Sequence, residues 1–429
     1  MVELPGDAHP RRLSGWKILG IVAGFLAVLV GSFWFWVDSV ADRRWEAMER
    51  KVRELHAEVR ARDGARPPIR GAGVPGNAWD DYGPAVKAAK AIGPDAVLGE
   101  FISRGSKADR AKVESVLATH GGLLDGLRNG ALRTHTDFGY KWERGVAVEV
   151  PGLLQSQRLA NLAVSQARIL AEDGRHREAA ELLLETAQFG RDVGSDGVLI
   201  TEMIGIAVLG LALDELRDVV LSGKLSREEL IQVDAELATL DGSFPRNGRA
   251  LLNDTLGMGI SFLQPEASLQ DFGAGASEVL GSLLAGWRYG FSGRIMTADA
   301  FEFMLHHSRR CVAVEDKDWT EVRRVADETA AEVARSKNEI VRIAMPGLLQ
   351  TERVVRERRA QLRLLRAASH ALATGNVPDI EDPFGAKLLS AKSGNTLKIW
   401  SVGRDGADDV GSGAWKPANS KDIVIELKP

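Results

Sequence analysis

A mainly α-helical chain with an N-terminal membrane helix and a small C-terminal antiparallel β unit is the fold class the sequence predicts. Three observations predict it: an unbroken apolar run at residues 16–37, helical periodicity from about residue 80 to about residue 375, and loss of that periodicity over 387–427.

The run at 16–37 (WKILGIVAGFLAVLVGSFWFWV) carries one charge, Lys17, at its edge. At ~1.5 Å per helical residue it reaches ~33 Å, the thickness of a bilayer's hydrocarbon core. Trp16 at one end and Phe33, Trp34, Phe35 and Trp36 at the other fall where amphipathic rings settle among headgroups. Ser39-Val40-Ala41 would suit signal cleavage. The apolar run is longer than the ~7–15-residue core of a secretory signal and ends in bulky aromatics, so an uncleaved anchor is expected. Arg11 and Arg12 precede the span and Arg43, Arg44, Arg50 and Lys51 follow it, so the positive-inside count leaves its orientation open.

No Gly or Pro lies between Ser32 and Asp63, which predicts that the helix continues through 38–62 as a stalk about 37 Å long. Trp45, Met48, Val52, Leu55 and Val59 form a 3-4-3-4 seam along it. A homodimer through 45–59 is one use of that seam, and packing on the chain's own body is the other. Two heptads fall short of the three or four that a coiled coil needs, which favours the second. Residues 63–78 (DGARPPIRGAGVPGNA) read as a Pro/Gly linker. The GxGxxG within them, Gly71 to Gly76, has no strand before it and is not a dinucleotide fingerprint.

Residues 79–375 read as an α-helical domain. Pro84 suits the first turn of a helix ending at Ile92. Further helices are expected at 108–128, 153–172, 176–192, 198–221, 226–239, 246–258, 275–288, 297–310, 318–342 and 347–373. Ser226 with Glu229 makes a capping box. The stretch Met203 to Leu213 is apolar all round but short, a core helix rather than a second span. The helices 153–172 and 176–192, joined at Glu172-Asp173-Gly174-Arg175, form an αα-hairpin that looks like a tetratricopeptide unit, without the recurring period of an array. Pro151-Gly152-Leu153-Leu154-Gln155 recurs as Pro346-Gly347-Leu348-Leu349-Gln350, a shared way to start a helix.

A formal net charge of −4 gives no field that would gather nucleic acid. Cys311 is the single cysteine, so no intramolecular disulfide forms, and it reads as a small half-buried residue rather than a nucleophile. The chain has no HExxH, Walker A, GxSxG or SxxK motif. His306 and His307 are adjacent, hence not a metal pair on one helix face. Trp79 with Asp80, Asp81 and Tyr82 is one candidate pocket, and His135, Asp137, Tyr140 and Trp142 are another. Capping and packing explain both sets without chemistry. Arg356, Arg359, Arg363 and Arg366 form a stripe that would meet acidic lipid or an acidic partner, or else flank a core-packing helix.

The tail carries the most specific pattern: Asp382-Pro383-Phe384-Gly385, then Ile399 to Gly406 (IWSVGRDG), Asp408-Asp409 and Asp422-Ile423. In order and spacing it resembles the C-terminal region of the major pseudopilin of type II secretion systems. The resemblance covers about 382–429 and implies a small β unit over 376–429 whose loop binds calcium. Asp405, Asp408, Asp409 and Asp422 are the positions that match, and Lys416 and Lys421 could balance their charge instead. Ser14-Gly15-Trp16-Lys17 supplies neither the cleavage site nor the membrane-helix glutamate of a pseudopilin. The whole layout resembles single-pass envelope proteins of Gram-negative bacteria. It implies residues 1–15 in the cytoplasm, the anchor in the inner membrane and the rest in the periplasm. The expected function is a non-enzymatic scaffold or protein-interaction factor of the envelope, linked to secretion or pilus-like machinery. A membrane-tethered hydrolase whose site only folding would assemble is the alternative.

Overall fold

The computed structural model describes residues 15–93, 96–104, 110–264, 291–345, 348–416 and 421–428. The tail at 1–14, the helix expected at 275–288 and the Pro346-Gly347 start of the internal echo lie outside them.

Helix α1 (Gly15–Arg60) runs unbroken through the apolar segment and the stalk. Its apolar half is long and apolar enough to cross a membrane, and the side chains described there, from Trp16 to Trp36, touch little of the protein. The stalk half behaves differently. Met48, Val52, Leu55 and Val59 are buried in one cluster with Leu256, Ile260, Phe301 and Met304, and Trp45 packs at its edge. Ion pairs flank this seam: Asp38 and Asp42 with Arg294, Arg44 with Asp299, Lys51 with Glu302, and Glu58 with Arg309. The seam is therefore filled within the chain, and two chains could pair through 45–59 only by releasing it.

The body is built of α2 (Trp79–Ala88), α3 (Ala96–Arg104), α4 (Arg110–His120), α5 (Leu123–Ala131), α6 (Leu153–Glu172), α7 (His176–Gly194), α8 (Leu199–Leu221) and α9 (Arg227–Gly242). It continues through α10 (Asn247–Leu263), α11 (Phe291–Val314), α12 (Trp319–Arg335), α13 (Glu339–Ala344) and α14 (Leu348–Thr374). The α6–α7 hairpin and α8 form its centre. A Cβ on Gly190 would lie 2.6 Å from the Leu209 amide nitrogen, so glycine is what lets α7 and α8 approach so closely. The run Met203 to Leu213 lies in this core helix. The α9 capping box forms as expected: Glu229 N donates to Ser226 Oγ at 3.2 Å, and Ser226 N donates to Glu229 Oε2 at 2.7 Å.

Several boundaries differ from expectation for local reasons. The helix expected at 108–128 is two helices, because Gly121-Gly122 ends α4. The helix expected at 318–342 breaks before Asn338, whose carboxamide accepts from Ile340 N at 3.0 Å and caps α13. Helix α2 begins at Trp79 rather than at Pro84, with Asp80 and Asp81 in its first turn against the helix dipole. The segment 63–78 is docked rather than free. Ile69 and Arg66 are buried, and β1 (Val74–Asn77) pairs in parallel with β2 (Arg133–His135).

The tail forms the small antiparallel β unit that the sequence predicts. Strands β3 (Leu389–Ser393), β4 (Thr396–Ser401) and β5 (Ile423–Leu427) make an antiparallel sheet in that order, with Ser390 opposite Ile399 and Ile399 opposite Ile425. Ile399, Ile423, Ile425 and Leu427 join the main core, which includes Leu362 and Leu365 of α14.

The stalk seam sets a test. Leu55→Ala removes a fully buried side chain between stalk and body and should cost about 2–4 kcal/mol in denaturant unfolding of the detergent-solubilised chain. Arg53→Ala, on the exposed side of the same turn, should leave the midpoint in place.

Candidate functional site

Three cavities join edge to edge into one polar groove across the body. The first, about 220 Å³, is lined by Arg62, Trp79, Phe138, Tyr140 and Trp142. The second, about 190 Å³, shares Thr136 and Asp196 with it and adds Arg66, Arg191 and Arg249. The third, about 370 Å³, shares Phe244 and Arg246 with the second and reaches Glu315, Glu352, Arg356 and Asp382.

The first cavity unites the two aromatic patches that the sequence presents separately. Phe138 joins them, with ring centroids 5.0 Å from Trp79 and 5.0 Å from Tyr140, and Tyr140 stacks 5.1 Å from Trp142. The polar members go elsewhere. Asp81 pairs with Arg133 at 2.7 Å, Asp80 is exposed, His135 lies 3.9 Å from Asp63, and Asp137 Oδ1 accepts from Gly139 N at 2.8 Å. Tyr82 leaves the cavity for the core.

There it meets a buried charge cluster that sequence reasoning missed. Asp192 Oδ2 accepts from Tyr82 Oη at 2.9 Å and lies 2.8 Å from Arg66 Nη2. Arg191 Nη2 stands 3.1 Å from Asp192 Oδ1. With its amide oriented to face the two arginines, Gln188 accepts from Arg191 Nη2 at 2.7 Å and from Arg66 Nε at 3.2 Å. Burial pushes the Asp192 carboxyl up and the Arg191 guanidinium down, and it pushes the Tyr82 hydroxyl well up. The available signal was Arg191-Asp192 at the end of an α7 stretch that is otherwise wholly buried. Nothing near Arg66 in the sequence marks it.

The arginine stripe of α14 points inward. Asp241 of α9 alone accepts from Arg359 Nε at 2.8 Å, Arg363 Nε at 2.9 Å and Arg366 Nη1 at 3.2 Å. Arg356 is buried and donates to the carbonyls of Glu315 and Lys317, each at 2.9 Å, to the Pro383 carbonyl, and to Glu352 Oε1 at 2.8 Å. The stripe is thus neither a lipid-facing surface nor a solvated flank; it knits α9, the turn before α12 and the tail to α14. Behind the third cavity Glu202 is buried with neither oxygen bonded, and burial raises its carboxyl well above the usual range, with Glu352 and Glu315 adding. Cys311 is half-buried, and burial pushes its thiol up to about 12, far from a reactive thiolate.

In the tail, Asp382 is a structural clamp. Its carboxylate accepts from Phe384 N at 3.0 Å, Ser401 Oγ at 2.7 Å and Val402 N at 2.9 Å, closing the Asp-Pro-Phe-Gly turn onto the end of β4. Asp422 is fully buried and grips the acidic loop from both sides, accepting from Asp409 N at 3.3 Å and Gly411 N at 2.7 Å. Asp408 Oδ1 accepts from Val410 N at 2.8 Å and from Trp400 Nε1 at 3.0 Å. These bonds hold Val410 at φ 57°, a conformation that a β-branched residue rarely adopts. Burial raises the Asp422 carboxyl, and Asp408 and Asp409 push it further. The structure therefore brings Asp408, Asp409 and Asp422 together, while Asp405 caps its own turn through Ala407 N at 3.0 Å. Backbone amides occupy part of the oxygens that Ca²⁺ would need, and the four matching positions do not form one ligand set. Among the described residues no group of three or more His, Cys, Asp or Glu has metal-holding geometry.

Comparison of the chain with protein-family models, with curated proteins and with solved structures finds no match.

Asp422→Ala removes two charge-assisted bonds to buried amides. In chelator, thermal unfolding of the full chain should show a loss of about 2–4 kcal/mol, whereas Asp405→Ala, at an exposed turn, should leave the midpoint unchanged.

Proposed function

We propose that this chain is a single-pass membrane-anchored binding protein of the cell envelope, which presents its groove to protein partners in the periplasm. One observation carries the reading: the stalk is not a tether. Its seam and ion pairs fix it to the body over its length, so the groove stands at a set height and angle above the anchor. The groove also offers residue types that interfaces use as anchors, since the half-buried Tyr140 and Phe138 line it beside Arg62, with Trp79 and Trp142 buried behind them. A link to secretion or pilus-like machinery rests on the pseudopilin-like order of the tail alone.

A tethered hydrolase would draw on Glu315 and Glu352, the paired glutamates of the largest cavity. Glu352 pairs with Arg356 at 2.8 Å and Glu315 Oε1 with Arg246 at 3.2 Å, leaving Glu315 Oε2 buried without a hydrogen bond; one free carboxylate oxygen is less than the acid and base that hydrolysis needs, which favours the binding reading. Glu202 and Asp254, whose carboxyls burial raises (Asp254 to about 7), do not line the groove. For the tail a second reading stands. Asp408, Asp409 and Asp422 repel one another, and calcium held by these three would relieve that repulsion. Its test repeats the Asp422→Ala comparison in millimolar calcium: a higher midpoint that the variant abolishes supports it, and identical curves in calcium and chelator remove it.

Two measurements test the main reading. Alkaline phosphatase fused after Pro429 should be active; a silent phosphatase, with a fluorescent cytoplasmic reporter at the same position, reverses the orientation. A photo-cross-linking residue at Lys317, on the groove, should capture a discrete partner in intact cells, while one at Glu228 on α9, away from it, should not. Equal yields at both positions would sink the groove as the docking face.

A further inference from the structure

The middle cavity of the groove holds more positive charge than its own carboxylates balance. Four guanidiniums gather at it and beside it: Arg66 and Arg191 on its wall pair with the buried Asp192, Arg249 on its wall pairs with Asp196 at 3.4 Å, and Arg62, on the adjoining cavity, lies 3.9 Å from the same Asp196. Four cations against two anions leave an excess of two among the described residues. The charges at the rim do not cancel it. Asp63 is largely exposed and turned to the Ala65 amide, and Arg246 is paired with Glu315 and Asp316.

Two buried polar atoms on the wall lack a hydrogen-bond partner, Arg191 Nε and Thr136 Oγ1. Arg191 is 3% exposed and Thr136 7%, so bulk water does not satisfy them. Burial lowers the pKa of Arg62 as well as that of Arg191, and a neighbouring guanidinium lowers each further, Arg249 beside Arg62 and Arg66 beside Arg191. Asp196, on the same wall, sits at φ 54°, a left-handed conformation of the kind that collects at ligand sites. An uncompensated charge in a partly dry cavity is costly, and an anion from outside removes the cost.

We propose that this cavity binds a phosphate group, either as inorganic phosphate or as the phosphomonoester of a small soluble molecule. A phosphate carries about −1.5 to −2 near neutral pH, which matches the excess of two, whereas a carboxylate would leave one charge unpaired. Planar guanidinium forks suit its oxygens, and Thr136 Oγ1 can donate to one of them. The volume of about 190 Å³ lies below the ~300 Å³ of sites for drug-sized ligands and suits a small group. Headgroups of the chain's own bilayer are out of reach, because the helix from residue 38 to Arg60 holds the cavity ~35 Å beyond the anchor. The inference deepens the binding reading and rests on it for its use in the cell, but the two fail separately. Phosphate binding without partner capture would keep the site and remove the scaffold.

The experiment is calorimetry and thermal unfolding of the full chain in detergent. The probes are inorganic phosphate, glycerol 3-phosphate and acetate at matched ionic strength. Saturable phosphate binding at least tenfold tighter than acetate is expected, with a matching rise in midpoint. Arg249→Gln changes a half-exposed residue on the cavity wall, and it should weaken phosphate at least fivefold. Arg191→Gln, at the floor, should abolish binding. Equal affinity for the two phosphates assigns the site to the phosphate group alone, and tighter glycerol 3-phosphate assigns it to a phosphomonoester. No saturable response to either, a response that acetate matches, or one that Arg249→Gln leaves intact would overturn the proposal.

Discussion

The body's geometry depends on the buried contact between Asp192 and Arg66. Asp192 belongs to α7, at the centre of the helical core, and Arg66 to the segment that follows the stalk. Breaking one partner of a buried ion pair costs about 3–5 kcal/mol, because the other charge stays desolvated and alone. Tyr82 of α2 donates to the same oxygen, and Arg66 also donates to the Gly130 carbonyl at 2.7 Å at the end of α5. One carboxylate thus fixes the relative positions of α2, α5, α7 and the incoming chain. Without it, residues 63–78 would still be held by Ile69, by the short two-strand pairing and by Arg70, which bonds Glu236 at 3.0 and 3.1 Å and Glu185 at 2.7 Å, but Arg66 on the wall of the middle cavity would lose its counter-charge.

That contact also explains why the stalk acts as a strut. A long helix held at one end swings; this one is held along the seam by apolar burial and just past its end by Arg66. Each seam side chain contributes roughly 1.5–3 kcal/mol of burial, while the exposed ion pairs beside it add little and chiefly set register. Because α1 carries both the segment apolar enough to cross a membrane and the seam residues on one unbroken helix, the angle at which it would leave a bilayer would be passed directly to the body.

Much of this was legible in the sequence, and what was not has a common cause. The continuous α1, the α6–α7 hairpin and the α9 capping box follow from local pattern, because each is settled by residues a few positions apart, and the tail was legible as a small antiparallel β unit, though not its strand β3. The stripe of Arg356, Arg359, Arg363 and Arg366 was also legible as a stripe. Its direction was not, since Asp241 lies on another helix and no periodicity announces it. The aromatic patches around Trp79 and Tyr140 were read apart because Phe138, which bridges them, looks like any core residue until the segments meet. The docking of 63–78 was hidden more deeply: Pro and Gly there signal a turn-rich path correctly, but composition does not say whether such a path lies on a surface. Of the tail aspartates, Asp422 and Asp408 were found by motif order, yet their amide partners emerge only from the loop's fold.

The interior treats its arginines in two ways, and the contrast separates structure from site. Around α14 the guanidiniums are paired inside the protein, although Arg366 Nε, like Arg191 Nε, is buried without a hydrogen bond. Arg356 spends its donors on three carbonyls and a glutamate, and Arg359, Arg363 and Arg366 share Asp241, with Asp234 adding to Arg366 at 3.4 Å. Carbonyl dipoles there replace water without adding charge, so the cluster closes on itself. In the middle cavity Arg66 likewise bonds the Gly130 and Ala131 carbonyls, but Arg191 Nε has no acceptor, and Arg62 and Arg249 share Asp196. The chain as a whole is acidic, at −4, so this local excess is not spill-over from a basic surface. A positive pocket in a negative surround, walled by low-dielectric protein, focuses its field on the opening. Of the two arginine clusters, the middle one sets four guanidiniums against two carboxylates, Asp192 and Asp196, where α14 sets four against three, Glu352, Asp241 and Asp234.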